Sequence, residues 1–267
     1  MPPRNRRWGE SGMIGCNYQK VIDIVHETKS IVLNKNLRAK IKEKGPADFV
    51  TAVDTEVCNF IGAELKKLYP DIGFTSEEKR DSETRRNNRW ILDPIDGTTN
   101  LVFKYPLSSV SLALLQNGEI IFGVVYNPFS DETFYAEKGK GAFLNGKELA
   151  VSTRNIGESL VEFGAGVTQK QDANQMFKIA QSVFMDCVDI RRICSSALAI
   201  CYIACKRIDG YFEKVLKPWD HAAAGLILQE AGGKVTDWFG KPLQYEKSTT
   251  IVASNGRIQD YLLSKVK

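Results

Sequence analysis

Two helical hydrophobic patterns open the chain. Between residues 16 and 42, apolar side chains recur every three or four positions, which predicts an amphipathic helix. A similar spacing from Asp54 to Leu68, with Pro70 just beyond, predicts a second helix. Each helix would carry one apolar stripe, so we expect the two to pair. The first stripe consists of Val21, Ile24, Val25, Ile31, Val32 and Leu37, and the second of Val57, Ile61, Leu65 and Leu68.

The middle of the chain predicts a sheet. Residues 79–89 contain no apolar side chain, so we expect an exposed loop that leads into a strand at residues 90–92. Three β-rich runs follow, and Asn-Gly pairs and a polar segment would join them as antiparallel hairpins. The runs cover residues 108–116, 120–127 and 133–138, and the turns lie at residues 117–118, 128–132 and 145–146.

After residue 155 the pattern alternates between helices and strands. We place the boundary between the two textures near residues 150–158 and expect two lobes of one compact unit. The predicted helices lie near residues 171–185, 195–207 and 221–231, and the predicted strands near residues 187–191, 210–215, 234–237 and 250–253. The predicted organisation is a basic, disordered leader at residues 1–15, an α+β lobe at residues 16–155 and an α/β lobe at residues 156–267.

Composition restricts the partners and the location. Lys and Arg number 36 against 32 Asp and Glu, and the resulting net charge of +4 is too small to predict a nucleic-acid partner. The apolar stretches are far shorter than the roughly 20 residues that span a bilayer, so no membrane segment is expected. The basic leader lacks the apolar core of a signal peptide, which predicts a cytoplasmic protein.

The six cysteines favour core packing over disulfides or metal binding. None forms a C-x-x-C pair. Cys194, Cys201 and Cys205 are separated by seven and then four positions, so on a single helix they would share one face.

The stretch "WILDPIDGTTN" at residues 90–100 places two carboxylates three positions apart, at the end of an apolar strand. Two acids that close repel each other unless a cation lies between them. Asp93, Asp96 and the Ile95 carbonyl would suit magnesium or manganese, which prefer hard oxygen ligands. The N–H groups of residues 97–99 could hold an anion beside the metal. The alternative is an ordinary turn, since Asp, Pro and Gly are common in turns.

Two further acidic clusters favour the metal over the turn. Glu77 and Glu78 follow the apolar residues 72–74, and Asp220 precedes a helix that ends at Gly232-Gly233. The alternative role of Asp220 is a helix N-cap. "GAFLNGKE" imitates a nucleotide-binding P-loop, but Glu148 stands where such a loop needs Ser or Thr, and an Asn-Gly hairpin turn is the wrong context.

Together these motifs are recognisable. "WILDPIDGTTN", "TSEE", "DFVTAVD" and "PWDHAAAGLILQEAGG" resemble, in order and spacing, the inositol monophosphatase family of magnesium-dependent, lithium-sensitive phosphatases, and the likeness runs from about residue 16 to the end. The resemblance implies a layered α-β-α-β-α sandwich, two or three Mg²⁺ ions with Mn²⁺ as a substitute, and a homodimer.

The resemblance also implies residue roles. Glu77, Asp93 and the Ile95 carbonyl would bind a first metal, Asp93, Asp96 and Asp220 a second, and Glu77 would border a third, weaker ion. Asp54 and Thr98 would orient the attacking water, and the N–H groups of Gly97 and Thr98 would hold phosphate oxygens. Ser195, Ser196 and Glu213 would line the pocket for the alcohol, although Ser195 could instead cap a helix and Glu213 could be an exposed strand residue.

Some residues depart from the family pattern or have open roles. Cys194 stands where a glycine is usual and could narrow the alcohol pocket, and Leu101 replaces the usual phenylalanine. Lys44-Gly45 matches a loop that can approach the metals. His221 adjoins Asp220 on a helix, so its side chain should point elsewhere, and we interpret it as structural.

The implied function is hydrolysis of a small phosphorylated polyol, inositol monophosphate, to inositol and phosphate. Fructose-1,6-bisphosphatase and bisphosphate nucleotidase activities are the enzymatic alternatives, because related enzymes share the metal ligands. A partner role in nucleic-acid machinery is the non-enzymatic alternative. No membrane association is expected.

Overall fold

A computed structural model describes residues 18–45, 48–78, 88–166 and 170–267.

The first predicted helix is broken in three. Helix α1 (Tyr18–Glu27) is followed by the single turns α2 (Lys29–Val32) and α3 (Lys35–Arg38). The Thr28 hydroxyl donates to the Val25 carbonyl at 2.5 Å, and the Asn34 side chain caps α3 by accepting two backbone N–H groups. These polar side chains offer the backbone local bonds that compete with a continuous helix.

The second predicted helix is confirmed. The hairpin β1 (Ile41–Gly45) and β2 (Asp48–Thr51) leads directly into α4 (Ala52–Leu68). Thr51 begins the helix because its hydroxyl accepts the Val53 N–H at 3.1 Å, while Asp54 accepts the Thr51 N–H at 2.8 Å. The apolar stripes of α1 and α4 pack together, as predicted.

A seven-stranded sheet holds the middle of the chain. Its order is β3-β4-β5-β6-β7-β8-β9; β3 is parallel to β4, and the other neighbouring pairs are antiparallel. The predicted strands and hairpins are confirmed. Asn117 and Asn145 adopt φ of 50° and 48°, which the hairpin turns require. The strands are β3 (Gly73–Ser76), β4 (Asn88–Asp96), β5 (Ser109–Gln116), β6 (Glu119–Asn127), β7 (Glu132–Glu137), β8 (Ala142–Leu144) and β9 (Lys147–Glu148); the short α5 (Thr98–Val102) follows β4.

A five-stranded mixed sheet holds the last third. Its order is β11-β10-β12-β14-β13, with β10 parallel to both neighbours and β14 antiparallel to both of its own. The predicted elements are confirmed; β10 and α9 were not predicted. The strands are β10 (Leu160–Phe163), β11 (Asp189–Arg191), β12 (Gly210–Leu216), β13 (Lys234–Thr236) and β14 (Thr249–Ser254), and the helices are α6 (Ala173–Phe184), α7 (Ser196–Ala204), α8 (Pro218–Glu230) and α9 (Gln259–Val266).

The three hydrophobic cores define five layers. Helices α1 and α4 cover the outer face of the seven-stranded sheet, α7 and α8 lie between the two sheets, and α6 and α9 cover the outer face of the five-stranded sheet. The expected α-β-α-β-α sandwich is therefore confirmed. A Cβ at Gly123 of β6 would lie 2.7 Å from the Ala223 carbonyl oxygen, so the glycine lets α8 approach the sheet closely.

The lobe boundary remains a prediction. The first sheet uses residues 73–148 and the second residues 160–254, but α7 and α8 share a core with strands of both sheets. The predicted leader, residues 1–15, lies outside the described residues. Within the described ranges, no helix is both long and apolar enough to cross a membrane.

Candidate active site

The acidic turn lies where β4 leaves the seven-stranded sheet. Strand pairing with β5 is regular through Asp93, becomes irregular at Pro94-Ile95, and resumes at Asp96, so β4 extends three residues beyond Asp93. Gly97 then turns the chain with φ of 87°. A Cβ on Gly97 would lie 3.0 Å from the Leu107 carbonyl oxygen and 3.2 Å from that of Cys194, so both conformation and space require glycine there.

The structure brings the predicted metal ligands to one cleft of about 320 Å³ between the sheets. Asp93 is only 2% exposed, Asp96 is buried, Asp220 is half-buried at the start of α8, and Glu77 lies at the exposed rim after β3. The Ile95 backbone belongs to the same wall. Residues far apart in the sequence therefore share one cavity.

Burial and mutual repulsion raise the pKa values of the acids in this cleft. Burial raises the pKa of Asp93 well above its usual range, and the negative charges of Glu77, Asp96, Asp220 and Asp54 raise it further. Burial also raises the pKa of Asp220, against a hydrogen bond from the Lys217 backbone that lowers it. Like charges gathered in a buried cleft favour protonation or a bound cation.

Asp93, Asp96 and Asp220 each accept hydrogen bonds from the protein. Asp93 accepts the Ile95 N–H at 3.0 Å, and Asp220 accepts the Lys217 N–H at 2.7 Å. Asp220 is thus the third residue of α8 and not its N-cap. Asp96 accepts the Ser195 hydroxyl and the Ala197 N–H, the latter at 2.9 Å. Across the described residues, no three His, Cys, Asp or Glu side chains are already arranged to hold a metal ion.

Asp96 accepts four hydrogen bonds from the described residues, more than Asp93 or Asp220. Burial raises its pKa to about 6, while donors from Ser195, Ala197, Ser196 and Ser109 limit the rise. Ser195 occupies the N-cap position of α7, but its hydroxyl bonds Asp96 and does not cap the helix. The N-terminal turn of α7 therefore supplies Asp96 with donors from across the cleft.

Asp54 and Thr98, the predicted water-orienting pair, are in contact. The Thr98 hydroxyl lies 3.2 Å from Asp54 Oδ1 and 3.0 Å from the Ile95 carbonyl oxygen. Asp54 is 1% exposed, and burial raises its pKa despite bonds from Thr51. Asp54 also stabilises the start of α4, so one side chain links a helix cap to the cleft.

Glu213 lies on the opposite wall, at the predicted alcohol position. It is 7% exposed, so the alternative of an exposed strand residue is wrong. It accepts the Tyr211 hydroxyl, and the Ser196 hydroxyl at 3.3 Å. Burial raises its pKa to about 7. A Cβ on Gly164 would lie 2.1 Å from Glu213 Oε2, so the carboxyl group packs directly on that backbone.

Comparison with known proteins shows the family of the chain. The sequence model of the inositol monophosphatase family matches residues 13–267. The chain belongs to the inositol monophosphatase family. The family places it among phosphatases of the inositol monophosphatase type.

Similar proteins carry two kinds of name. A protein from Vibrio cholerae named Nus factor SuhB is 39% identical over 227 residues, covering 84% of this chain and 85% of that protein. An inositol-1-monophosphatase from Mesorhizobium japonicum is 37% identical over 235 residues, covering 87% of each. The solved structure of the extragenic suppressor protein suhB from Bartonella henselae has a TM-score of 0.87 at 33% identity, covering 94% of this chain and 99% of that one. An IMPase from Thermotoga maritima has a TM-score of 0.85 at 33% identity, covering 93% and 96%.

Cys194 is an unusual residue of the cleft wall. It adopts φ of 59°, a left-handed conformation that L residues other than Asn and Asp rarely take, and it lines the cleft. It precedes α7, and Cys205 follows that helix, so the expectation of three cysteines on one helical face is wrong. Cys201 alone of the three lies within α7, where it is fully buried.

Two residues of the cleft wall were not predicted from the sequence. Glu162 and Tyr211 line the cleft beside Glu213, but neither was predicted to belong to the site. Glu162 interrupts a four-residue apolar run, which gave no clear strand signal. Gly45 ends β1, and residues 46–47 beyond it lie outside the described residues.

His221 lies apart from the cleft, as its position beside Asp220 predicted, and its structural role stays a prediction. It is fully buried, lies 5.7 Å from the Tyr245 ring, and is not part of the cleft wall. Burial lowers its pKa to about 4, so it is neutral at physiological pH.

Proposed function

We propose that the chain is a metal-dependent phosphomonoesterase that hydrolyses inositol monophosphate to inositol and phosphate. One observation supports this most strongly. Asp93 is buried in the cleft wall with the negative charges of four other carboxylates close enough to raise its pKa. Such a cluster is expensive without a cation.

The donor set of the cleft fits magnesium. Carboxylate and carbonyl oxygens are the ligands that magnesium and manganese prefer. Glu77, Asp93 and the Ile95 carbonyl would hold one ion, Asp93, Asp96 and Asp220 a second, and Glu77 would border a third. Bound divalent ions supply neutralisation of the phosphate oxygens and acidify the attacking water.

The residues of the chain would do the remaining work by positioning. Because the Thr98 hydroxyl donates its hydrogen bond to Asp54 or to the Ile95 carbonyl, its oxygen is left to accept a hydrogen bond from the attacking water. Asp54 fixes Thr98 in this role. The N–H groups of Gly97 and Thr98 would hold phosphate oxygens. Glu213 would accept hydrogen bonds from the hydroxyl groups of the alcohol, and Ser196 would donate to them. Ser195 would keep Asp96 in place.

A substrate panel tests the proposal. Purified protein with magnesium is given inositol monophosphate, fructose 1,6-bisphosphate and adenosine bisphosphate, with and without lithium. We expect the highest kcat/KM on inositol monophosphate and inhibition by lithium. No turnover of inositol phosphates alongside turnover of either other ester would replace the proposed substrate. The homodimer and the cytoplasmic location stay predictions.

The names of the SuhB relatives favour a second candidate. Proteins 38–39% identical to this chain are named Nus factors, so a partner role in nucleic-acid machinery is the alternative main function. Deletion of residues 1–12 and the Asp93→Asn substitution separate the two in cells. The phosphatase proposal expects loss of function from Asp93→Asn alone, whereas loss from the deletion alone would favour the partner role.

A further inference from the structure

Glu162 is a buried acid on the cleft wall that the proposed mechanism does not use. It lies in the middle of β10, is 2% exposed, and lines the cleft. Its Oε1 accepts the Ile193 N–H at 2.9 Å. Its Oε2 is buried and has no hydrogen-bond partner among the described residues. An unpaired buried carboxyl oxygen is costly, so a group that satisfies it would bind favourably.

Glu162 is close to the alcohol position. In the parallel pairing of β10 with β12, Glu162 lies opposite Tyr211, whose hydroxyl donates to Glu213. Burial raises the pKa of Glu162 to about 8, and the negative charges of Asp96 and Glu213 add to the rise. Two buried carboxyl groups, one from each strand, therefore face the same part of the cleft.

Glu162 also holds the segment that crosses from one sheet to the other. The Ile193 N–H is bound by Glu162, and the Ile193 carbonyl accepts from Asn100 Nδ2 at 2.6 Å. Two residues later, Ser195 donates to Asp96. Oε1 thus has a structural task, while Oε2 remains for another group.

Positive charge on this wall lies at the rim. Arg192 also lines the cleft, but its side chain is exposed and its guanidinium donates to the Ala165 carbonyl at 2.7 Å. The carboxyl groups of Glu162 and Glu213 lie deeper. Neutral hydroxyl groups can bond to these two carboxyl groups in either protonation state, whereas a second phosphate would be repelled once either carboxyl group is ionised, which the raised pKa values of about 8 and about 7 place at neutral to mildly basic pH.

We propose that Glu162 is a specificity-determining residue of the alcohol pocket. With Glu213 it forms a pair of buried carboxyl groups that binds hydroxyl groups of a neutral polyol and disfavours a substrate with a second phosphate. This inference rests on the proposed phosphatase function. It concerns the choice of alcohol and not the cleavage step.

The Glu162→Gln variant tests the inference. The amide oxygen can still accept the Ile193 N–H, while the other position becomes an uncharged donor. We expect the ratio of kcat/KM for inositol monophosphate over fructose 1,6-bisphosphate to fall about tenfold, chiefly through KM. The loss on inositol monophosphate should exceed the loss on p-nitrophenyl phosphate, which has no hydroxyl groups to bind.

Two further variants frame the result. Glu230→Gln is the matched control, because Glu230 accepts two backbone N–H groups outside the cleft, and it should leave the ratio at the wild-type value. Glu162→Met removes both oxygens and should lower the ratio at least as much as Glu162→Gln. An unchanged ratio in both Glu162 variants would overturn the inference alone. Wild-type protein that hydrolyses none of the three esters would overturn the proposed function, and the inference with it.

Discussion

Asp209 and Asp93 are both buried, at 0% and 2% exposure, but their neighbours differ in charge. Asp209 accepts the Arg154 Nε–H at 3.0 Å, the Leu160 N–H at 3.0 Å and the Ser152 hydroxyl. Asp93 accepts one backbone N–H and otherwise lies among carboxylates. The charge and the hydrogen-bonding capacity of Asp209 are satisfied within the protein, whereas Asp93 lacks a positive partner and would gain one from a bound cation. Burial alone therefore does not distinguish a structural acid from a functional one; the charge of the neighbours does.

The largest expected effect follows from changing Asp93, the acid that both proposed metals would share. Asp93→Asn should lower kcat by about 10³-fold or more, because Asp93 is the ligand common to both proposed metals. The fold should survive, since the change removes a repelling charge. Kinetics and circular dichroism would check both points, with the exposed Asp23→Asn as control. Activity within tenfold of wild type would contradict the assignment of Asp93.

Removing the carboxylate of Asp209 should give the opposite outcome. Asp209→Ala leaves Arg154 without its carboxylate and removes an acceptor of the Leu160 N–H, and breaking a buried ion pair costs about 3–5 kcal/mol; since Arg154 is partly exposed, we expect about 2–3 kcal/mol. Activity per folded molecule should persist. Urea unfolding would measure the loss. A loss below about 1 kcal/mol would show that the Asp209 network contributes little.

Removing the metal should make the stability of the protein depend on pH through the acidic cluster. A carboxyl group whose pKa is higher in the folded than in the unfolded protein stabilises the fold below its unfolded pKa, near 4, and loses this contribution as pH rises through its folded pKa. Asp96 has a folded pKa of about 6, and those of Asp93 and Asp220 are also raised. In EDTA, these groups should therefore lower stability as pH rises from about 4 to 7.

Magnesium should reverse that loss. The rise in Tm on adding millimolar magnesium should be several degrees larger at about pH 7.5 than at about pH 5, because the ligands bind as carboxylates. The Asp93→Asn variant should show a smaller difference. A rise that is equal at both pH values in the wild-type protein would mean that the cluster does not bind the ion through these acids.

The sequence motifs and the local hydrophobic patterns predicted much of the fold and of the cleft. Alternating apolar runs with Asn-Gly pairs identified the hairpins around β5 and β6, and the ordered acidic motifs identified the cleft. The breaks at Thr28 and Asn34 were missed because they depend on side-chain bonds to nearby backbone. Glu162 was missed for a different reason. Its place beside Glu213 depends on the register of β10 against β12, which local sequence does not encode.

The smallest expected effect concerns Cys194, whose thiol lines the cleft, in comparison with Cys201, whose thiol lies in the core. A left-handed conformation costs an L residue about 1–2 kcal/mol, and glycine adopts it freely, so Cys194→Gly should relieve strain. Glycine's larger entropy loss on folding offsets part of this, and we expect a net gain of about 0.5 kcal/mol. Removing the thiol should also widen the alcohol pocket and raise kcat/KM for fructose 1,6-bisphosphate relative to inositol monophosphate by about threefold. Cys201→Ala, in the core of α7, is the control and should lower stability without changing substrate choice. Because the two substitutions remove thiols from the cleft and from the core, similar effects of both on substrate choice would show that Cys194 does not shape the pocket.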